Sequence, residues 1–270
     1  GKWAWGQTAN YTLTVTNIGD VATGRTSTPS AADTITVLDT MPADIEPVWG
    51  WGSTNASGDW SCTATLASRQ ISCTTSRILE PGTSSSLVIP VVVGTPAAPA
   101  GRTNYASVGG GHDPIHPTTP PAPGVSCTEP GYCANSLVSV VQPSVAYKKT
   151  ATLPVGKTAV VVGDIITYTV TTTIGNVGLG QQVILTDVLG TGLELEGGAT
   201  AGSGISCTAI AGQTTLTCTL PAGLGIGTYA ITYPARVTSL ASGSVKNQVS
   251  ENGTNTPGCG PNGVNCTVTT

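Results

Sequence analysis

Phenylalanine is absent from these 270 residues, methionine occurs once, histidine twice, and only 9% of the chain is charged. Ten basic and fourteen acidic side chains leave a net charge of −4. There is no stripe of Lys and Arg to neutralise a phosphate backbone, so nucleic acid is not an expected partner. No apolar run approaches the ~18–20 residues that a helical membrane span needs, so no membrane span is expected, and no signal-peptide pattern is present. Both histidines sit in one Pro-rich stretch, so a Ser/His/Asp constellation cannot be assembled from the rest of the chain. Paired carboxylates are not evident; Glu194 and Glu196 read as a solvated strand face. Gly-rich stretches follow turns rather than opening a helix, which leaves phosphate cradling unsupported. No enzyme, cofactor or metal site is expected.

Thr, Ser, Gly and Val are plentiful instead. Helix formers are sparse and no 3.6-residue apolar period is sustained, so the fold class is all-β. The clearest segment is Gly163–Asp187. Its Ile165–Thr173 and Gln182–Asp187 portions read as two strands of a hairpin joined by a Gly/Asn-rich turn. Val183, Leu185 and Asp187 fall on one face, so an acid points the same way as two core aliphatics.

That segment has a counterpart. Gly1–Asp20 lines up with Gly156–Asn176, and Asp33–Pro42 with Gln181–Gly190, which sets Asp39 on Asp187. Trp60–Thr75 matches Ile205–Leu220, Leu79–Val93 matches Leu220–Val237, and Gly101–Val108 matches Gly243–Ser250, which sets Asn104 on Asn247. The chain therefore reads as two tandem domains, 1–126 and 134–270, enough residues for two ordinary cores. Between them His112–Gly124 is rich in proline and reads as a linker or long surface loop. Pro114 and Pro117 forbid the helix that would align His112 and His116 as metal ligands.

Eight cysteines allow 105 pairings, but each copy carries two pairs at like positions. The economical solution is four local disulfides: Cys62–Cys73, Cys127–Cys133, Cys207–Cys218 and Cys259–Cys266. No spacing is CxxC and no His lies near them, which disfavours zinc. Disulfides imply an oxidising compartment, hence an extracellular or cell-surface location. Asn10, Asn55, Asn252 and Asn265 stand in Asn-x-Ser/Thr sequons.

The copies differ at their openings. Ala134–Val155 precedes the Tyr-bearing strand of the second copy, whereas the first copy has nothing there, so its opening strand is expected to be missing. An open sheet edge invites pairing with another chain. The expected partners are copies of this chain or neighbouring repeat domains in a filament.

Gly6, Tyr11, Thr12, Val15, Asn17 and Gly19, then Asp39 and Pro42, then Leu79, Pro81 and Gly82 together resemble the DUF11 repeats of bacterial surface proteins. Gly163, Tyr168, Thr169 and Asp187 continue that resemblance in the second copy, where Gly190 replaces the expected proline. The resemblance implies immunoglobulin-like β-sandwiches and a structural role in a surface fibre or adhesin. The pattern is also similar to that of fimbrial isopeptide-forming domains. This implies an autocatalytic Lys149–Asn247 amide assisted by Asp187; the alternative is that Lys149 emerges at a sheet margin and the other two cap turns. Alternation puts Lys149 in phase with Val145 and Tyr147, and Asn247 with Val245 and Val249. The first copy has Asp39 and Asn104 but no upstream lysine.

All five Trp residues lie in the first copy. Trp49 and Trp51 on one strand face suggest a second reading, a carbohydrate-stacking platform, set against their use as core or edge cover.

Overall fold

The computed structural model of this chain describes residues 1–24, 30, 33–94, 100–202, 204–251 and 267–269. Twenty strands and no α-helix form among the described residues. The described residues form an all-β fold, and the chain divides into two compact units, Gly1–Val140 and Val141–Thr270.

Unit 1 contains β1 (Lys2–Ala4), β2 (Thr8–Thr16), β3 (Ile35–Thr40), β4 (Ile45–Pro47), β5 (Thr54–Ser57), β6 (Trp60–Thr65), β7 (Gln70–Thr75), β8 (Ser84–Val93), β9 (Ala100–Gly110) and β10 (Cys133–Val141). One sheet runs β1-β10-β9-β3-β7-β6-β5, the other β2-β8-β4. Strict alternation buries Trp60, Cys62 and Ala64 of β6 and Ile71 and Cys73 of β7, while their neighbours face solvent or the rim. Trp60 is fully buried because its indole N–H finds an acceptor, Ser85 Oγ at 3.0 Å.

Unit 2 contains β11 (Ser144–Thr152), β12 (Ile165–Gly175), β13 (Val183–Leu189), β14 (Leu193–Leu195), β15 (Thr200–Ala201), β16 (Ser206–Thr208), β17 (Thr215–Leu220), β18 (Gly227–Val237), β19 (Lys246–Glu251) and β20 (Thr267–Thr269). One sheet runs β11-β12-β18-β14, with β15 also on β18; the other runs β16-β17-β13-β19-β20. Ile166, Tyr168, Val170 and Ile174 from the first sheet meet Leu185, Leu189, Leu216 and Val249 from the second in one core.

The two units share local solutions as well as strand order. Gly6 and Gly163 open the Tyr-bearing strands with φ of 75° and 92°, a left-handed backbone that glycine adopts without a Cβ clash. Each donates its N–H to the closing residue of a long partner strand, Gly6 to Val93 O and Gly163 to Val237 O, both at 2.8 Å. Cys62 lies directly opposite Cys73 on β6 and β7, as Cys207 does Cys218 on β16 and β17, and both pairs are disulfide-bonded. Cys127–Cys133 is also bonded; the expected Cys259–Cys266 bridge lies outside the described residues.

Two expectations change. Residues 165–173 and 182–187 are strands, but they do not pair as a hairpin: β12 lies between β11 and β18, and β13 between β17 and β19. Period-2 alternation identifies a strand and its inward face and is silent on its partner. The boundary between units falls at residue 140, not between 126 and 134, because Cys133–Val140 pairs residue by residue with Ser107–Ala100 of β9. The Pro-rich stretch 112–124, read from the sequence as a linker or a long surface loop, is a loop of unit 1. It is held by Gly110 N–H to His116 O at 2.7 Å and Ser107 Oγ to Pro121 O at 2.6 Å. Its histidines have separate carboxylate partners, Asp33 for His112 and Glu129 for His116.

Candidate functional site

In unit 2, β11 turns Val145, Tyr147, Lys149 and Ala151 inward. From the facing sheet, β13 turns in Val183, Leu185, Asp187 and Leu189, and β19 turns in Asn247 and Val249. Pairing of Asp187 with Val249 and of Leu189 with Asn247 makes Asp187 and Asn247 diagonal neighbours on the same face. The three polar residues singled out by alternation are thus all buried: Lys149 is 5%, Asp187 2% and Asn247 0% exposed.

They are joined through a fourth residue. Lys149 Nζ donates to Asp187 Oδ2. The same oxygen accepts the Tyr233 hydroxyl at 2.6 Å, and Tyr233 in turn accepts Asn247 Nδ2 at 2.7 Å. Tyr233 comes from β18, where it shares the inward face with Ile231, Ala235 and Val237. Lys149 Nζ also lies 5.4 Å from the ring centre of Tyr168 and 5.8 Å from that of Tyr233. The cluster spans the sandwich, with Lys149 and Tyr233 in one sheet and Asp187 and Asn247 in the other.

Burial sets its protonation. Loss of water pulls the Lys149 amine down to about 8, although the Asp187 carboxylate opposes that fall. Burial pushes the Asp187 carboxyl up, against the opposing pull of Lys149 and Tyr233. Both shifts favour the neutral amine and the neutral acid. Burial and the nearby acid also hold the Tyr233 hydroxyl protonated, so it remains a donor to Asp187. Asp187 Oδ1 and Asn247 Oδ1 are buried acceptors without a donor. A proton on Asp187 Oδ1 converts one of these two into a donor. An amine whose charge burial disfavours, an acid able to shuttle its proton and a carboxamide in one buried cluster are the reactants for amide formation.

Unit 1 has a partial copy. Asp39 is 0% and Asn104 4% exposed, and Asn104 Nδ2 donates to Asp39 Oδ2 at 2.8 Å. Burial holds the Asp39 carboxyl up to about 7, with the Asn104 hydrogen bond working against it. Asp39 Oδ1 and Asn104 Oδ1 lack partners, and so does the buried Tyr11 hydroxyl, which burial and Asp39 push further from ionising. Among the described residues no cation contacts Asp39. β2 is, among the described residues, an edge strand paired with β8 alone. A groove of about 370 Å³ opens between β2, β9 and the start of β10, with Leu13, Val15 and Asn104 in its lining.

Trp49 and Trp51 are half-buried and pack on the core of unit 1. The Arg69 guanidinium lies 5.1 Å from the ring centre of Trp51, and both indole nitrogens are buried without an acceptor. Sequence reasoning missed Tyr233. The signal was available in its phase with Ile231 and Ala235, but a buried tyrosine between aliphatics reads as core.

No family model matches this chain, and no curated protein matches it. Among solved structures it is similar to the C-terminal domain of the Streptococcus agalactiae AgI/II polypeptide BspA, at 11% identity over 94% of this chain and 91% of that one, with a TM-score of 0.41. It is also similar to the C-terminal domain of the Streptococcus pyogenes antigen I/II-family protein AspA, at 10% identity over 94% and 91%, with a TM-score of 0.37. A third is the collagen-binding domain of the Erysipelothrix rhusiopathiae surface protein RspB, at 12% identity over 100% and 90%, with a TM-score of 0.35.

Proposed function

We propose that this chain is a structural, non-enzymatic segment of an extracellular surface fibre or adhesin, with two sandwich modules built to hold under tension. The observation that carries this reading is the buried Lys149–Asp187–Tyr233–Asn247 cluster bridging the two sheets of unit 2. In this reading Lys149 Nζ attacks Asn247 Cγ and ammonia leaves. Asp187 takes a proton from the attacking nitrogen and passes one to the departing amide. The new amide ties the first strand of the unit to β19, so pull along the chain bypasses nearly everything between them. Disulfides in both units and a fully β architecture suit the same role and an oxidising compartment. Unit 1 is completed by an added strand on the free edge of β2, which links it to a neighbouring domain or subunit.

Single-molecule stretching tests this reading. The bond removes from the unfolding length the 98 residues from Lys149 to Asn247, of which Cys207–Cys218 already loops out 11. The loss is roughly 300 Å of contour at ~3.5 Å per residue. Lys149→Met should restore it. A parent chain that releases this length has no such bond, and the mechanical reading fails.

A further inference from the structure

The groove of unit 1 has a counterpart in unit 2 that is already filled. There β11 pairs antiparallel with β12, so that Lys149 lies opposite Val170 and Tyr147 opposite Thr172, while β11 also contacts β20 of the other sheet. With β11 in place, Val170 and Thr172 are fully buried, and the interior beside Asp187 keeps only about 10 Å³ of free space. Gly6 corresponds to Gly163 and Tyr11 to Tyr168, which makes Leu13 the counterpart of Val170 and Val15 that of Thr172. In unit 1 these two side chains are only half-buried, and they face the groove of about 370 Å³. Asn104 lines the groove and donates to the buried Asp39, and each of the two keeps an oxygen without a partner.

We propose that this groove is a covalent acceptor site: it takes a lysine-bearing β-strand supplied from outside unit 1 and joins that lysine to Asn104 through Asp39. The proposal extends the strand-addition reading above from docking to bond formation. The occupant pairs antiparallel with β2, its lysine opposite Leu13, and the residue two positions earlier opposite Val15. Glu251, which accepts the Tyr147 hydroxyl at 2.7 Å in unit 2, corresponds to Val108 in unit 1. The occupant therefore needs an apolar residue before its lysine and no hydroxyl. The sequence Val-Ala-Tyr-Lys-Lys of β11 is a template, with its second lysine inward.

The step balances without an oxidant or reductant. The neutral amine of the incoming lysine forms a bond from Nζ to Asn104 Cγ, the Cγ–Nδ2 bond breaks, and ammonia leaves. Asp39 receives a proton from the attacking nitrogen and returns one to the leaving nitrogen. Burial that favours the protonated acid suits Asp39 to that exchange. A lysine entering this groove also supplies the donor that the two orphaned oxygens lack.

The test uses the full chain and a synthetic peptide of residues 142–155 carrying Tyr147→Phe, which removes the hydroxyl. The expected product is a 1:1 adduct with the summed mass less one ammonia. Tandem mass spectrometry should map it to Asn104 and the second lysine of the pair. Asp39→Asn should slow adduct formation by about 100-fold or more, in line with the contribution of a positioned acid–base group. Asn104→Ala should abolish it, with tryptophan fluorescence confirming that unit 1 is folded. A peptide with methionine in place of the second lysine should bind without linking. No binding, reversible binding alone, or an adduct that survives Asn104→Ala would each overturn the proposal. An internal Lys149–Asn247 link appears in the chain without peptide, so the two readings succeed or fail separately.

Discussion

Asp39 makes the stability of unit 1 depend on pH in a defined direction. Burial holds its carboxyl up to about 7 in the folded unit, against about 3.9 in an unfolded chain. Between those values the folded state keeps a proton that the unfolded state has released. Stability therefore falls as pH rises through the window and levels off above it. Below the window both states are protonated and the acid costs nothing. Three pKa units correspond to about 4 kcal/mol, an upper figure because buried acids admit water as they ionise. With a urea slope of about 2 kcal/mol per molar, the midpoint should drop by up to about 2 M between about pH 4 and pH 8. Tryptophan fluorescence reads this unit alone, since Trp3, Trp5, Trp49, Trp51 and Trp60 all lie in it. Asp39→Asn keeps the shape and the acceptor for Asn104 but has no proton to lose, so its midpoint should stay nearly flat across the window. An equal drop in parent and variant, or no drop in the parent, would refute the assignment of a buried protonated acid.

Lys149→Met should destabilise unit 2 by about 4–5 kcal/mol, because a bond closing the 98 residues from Lys149 to Asn247 no longer restrains the unfolded chain. Hydrogen exchange in β13 and β19 would show it as faster opening there than in unit 1. Replacing both Cys207 and Cys218 with alanine removes a bridge across 11 residues and should cost about 3 kcal/mol by loop-closure entropy, read from the same exchange experiment.

Much of the site was legible because burial in a sandwich follows parity. Lys149, Asp187 and Asn247 each stood in phase with aliphatic neighbours, and a charged or amide group in that phase must find partners inside. Parity carries no information on which strands pair, which is why residues 165–187 read as a hairpin although β12 and β13 lie in opposite sheets. It also cannot divide two strands that follow one another closely. Only Gln142 and Pro143 separate β10 from β11, yet the first completes unit 1 and the second opens unit 2. Pro143 lacks a donor and interrupts the ladder there, a signal outweighed by the more conspicuous prolines of residues 112–124. Tyr233 was hidden for a different reason. Its role depends on where its hydroxyl reaches across the core, to Asp187 and Asn247, and no spacing along β18 encodes that.

The mass of the intact, reduced chain reads directly whether Lys149 is joined to Asn247. The mass should lie below that of the sequence by one ammonia, about 17 Da, with Lys149 resistant to trypsin and linked to Asn247 in the digest. Asp187→Asn should restore the full mass. A parent chain at full sequence mass, cut by trypsin after Lys149 once unfolded, would rule out the bond and leave the cluster as a buried ion pair.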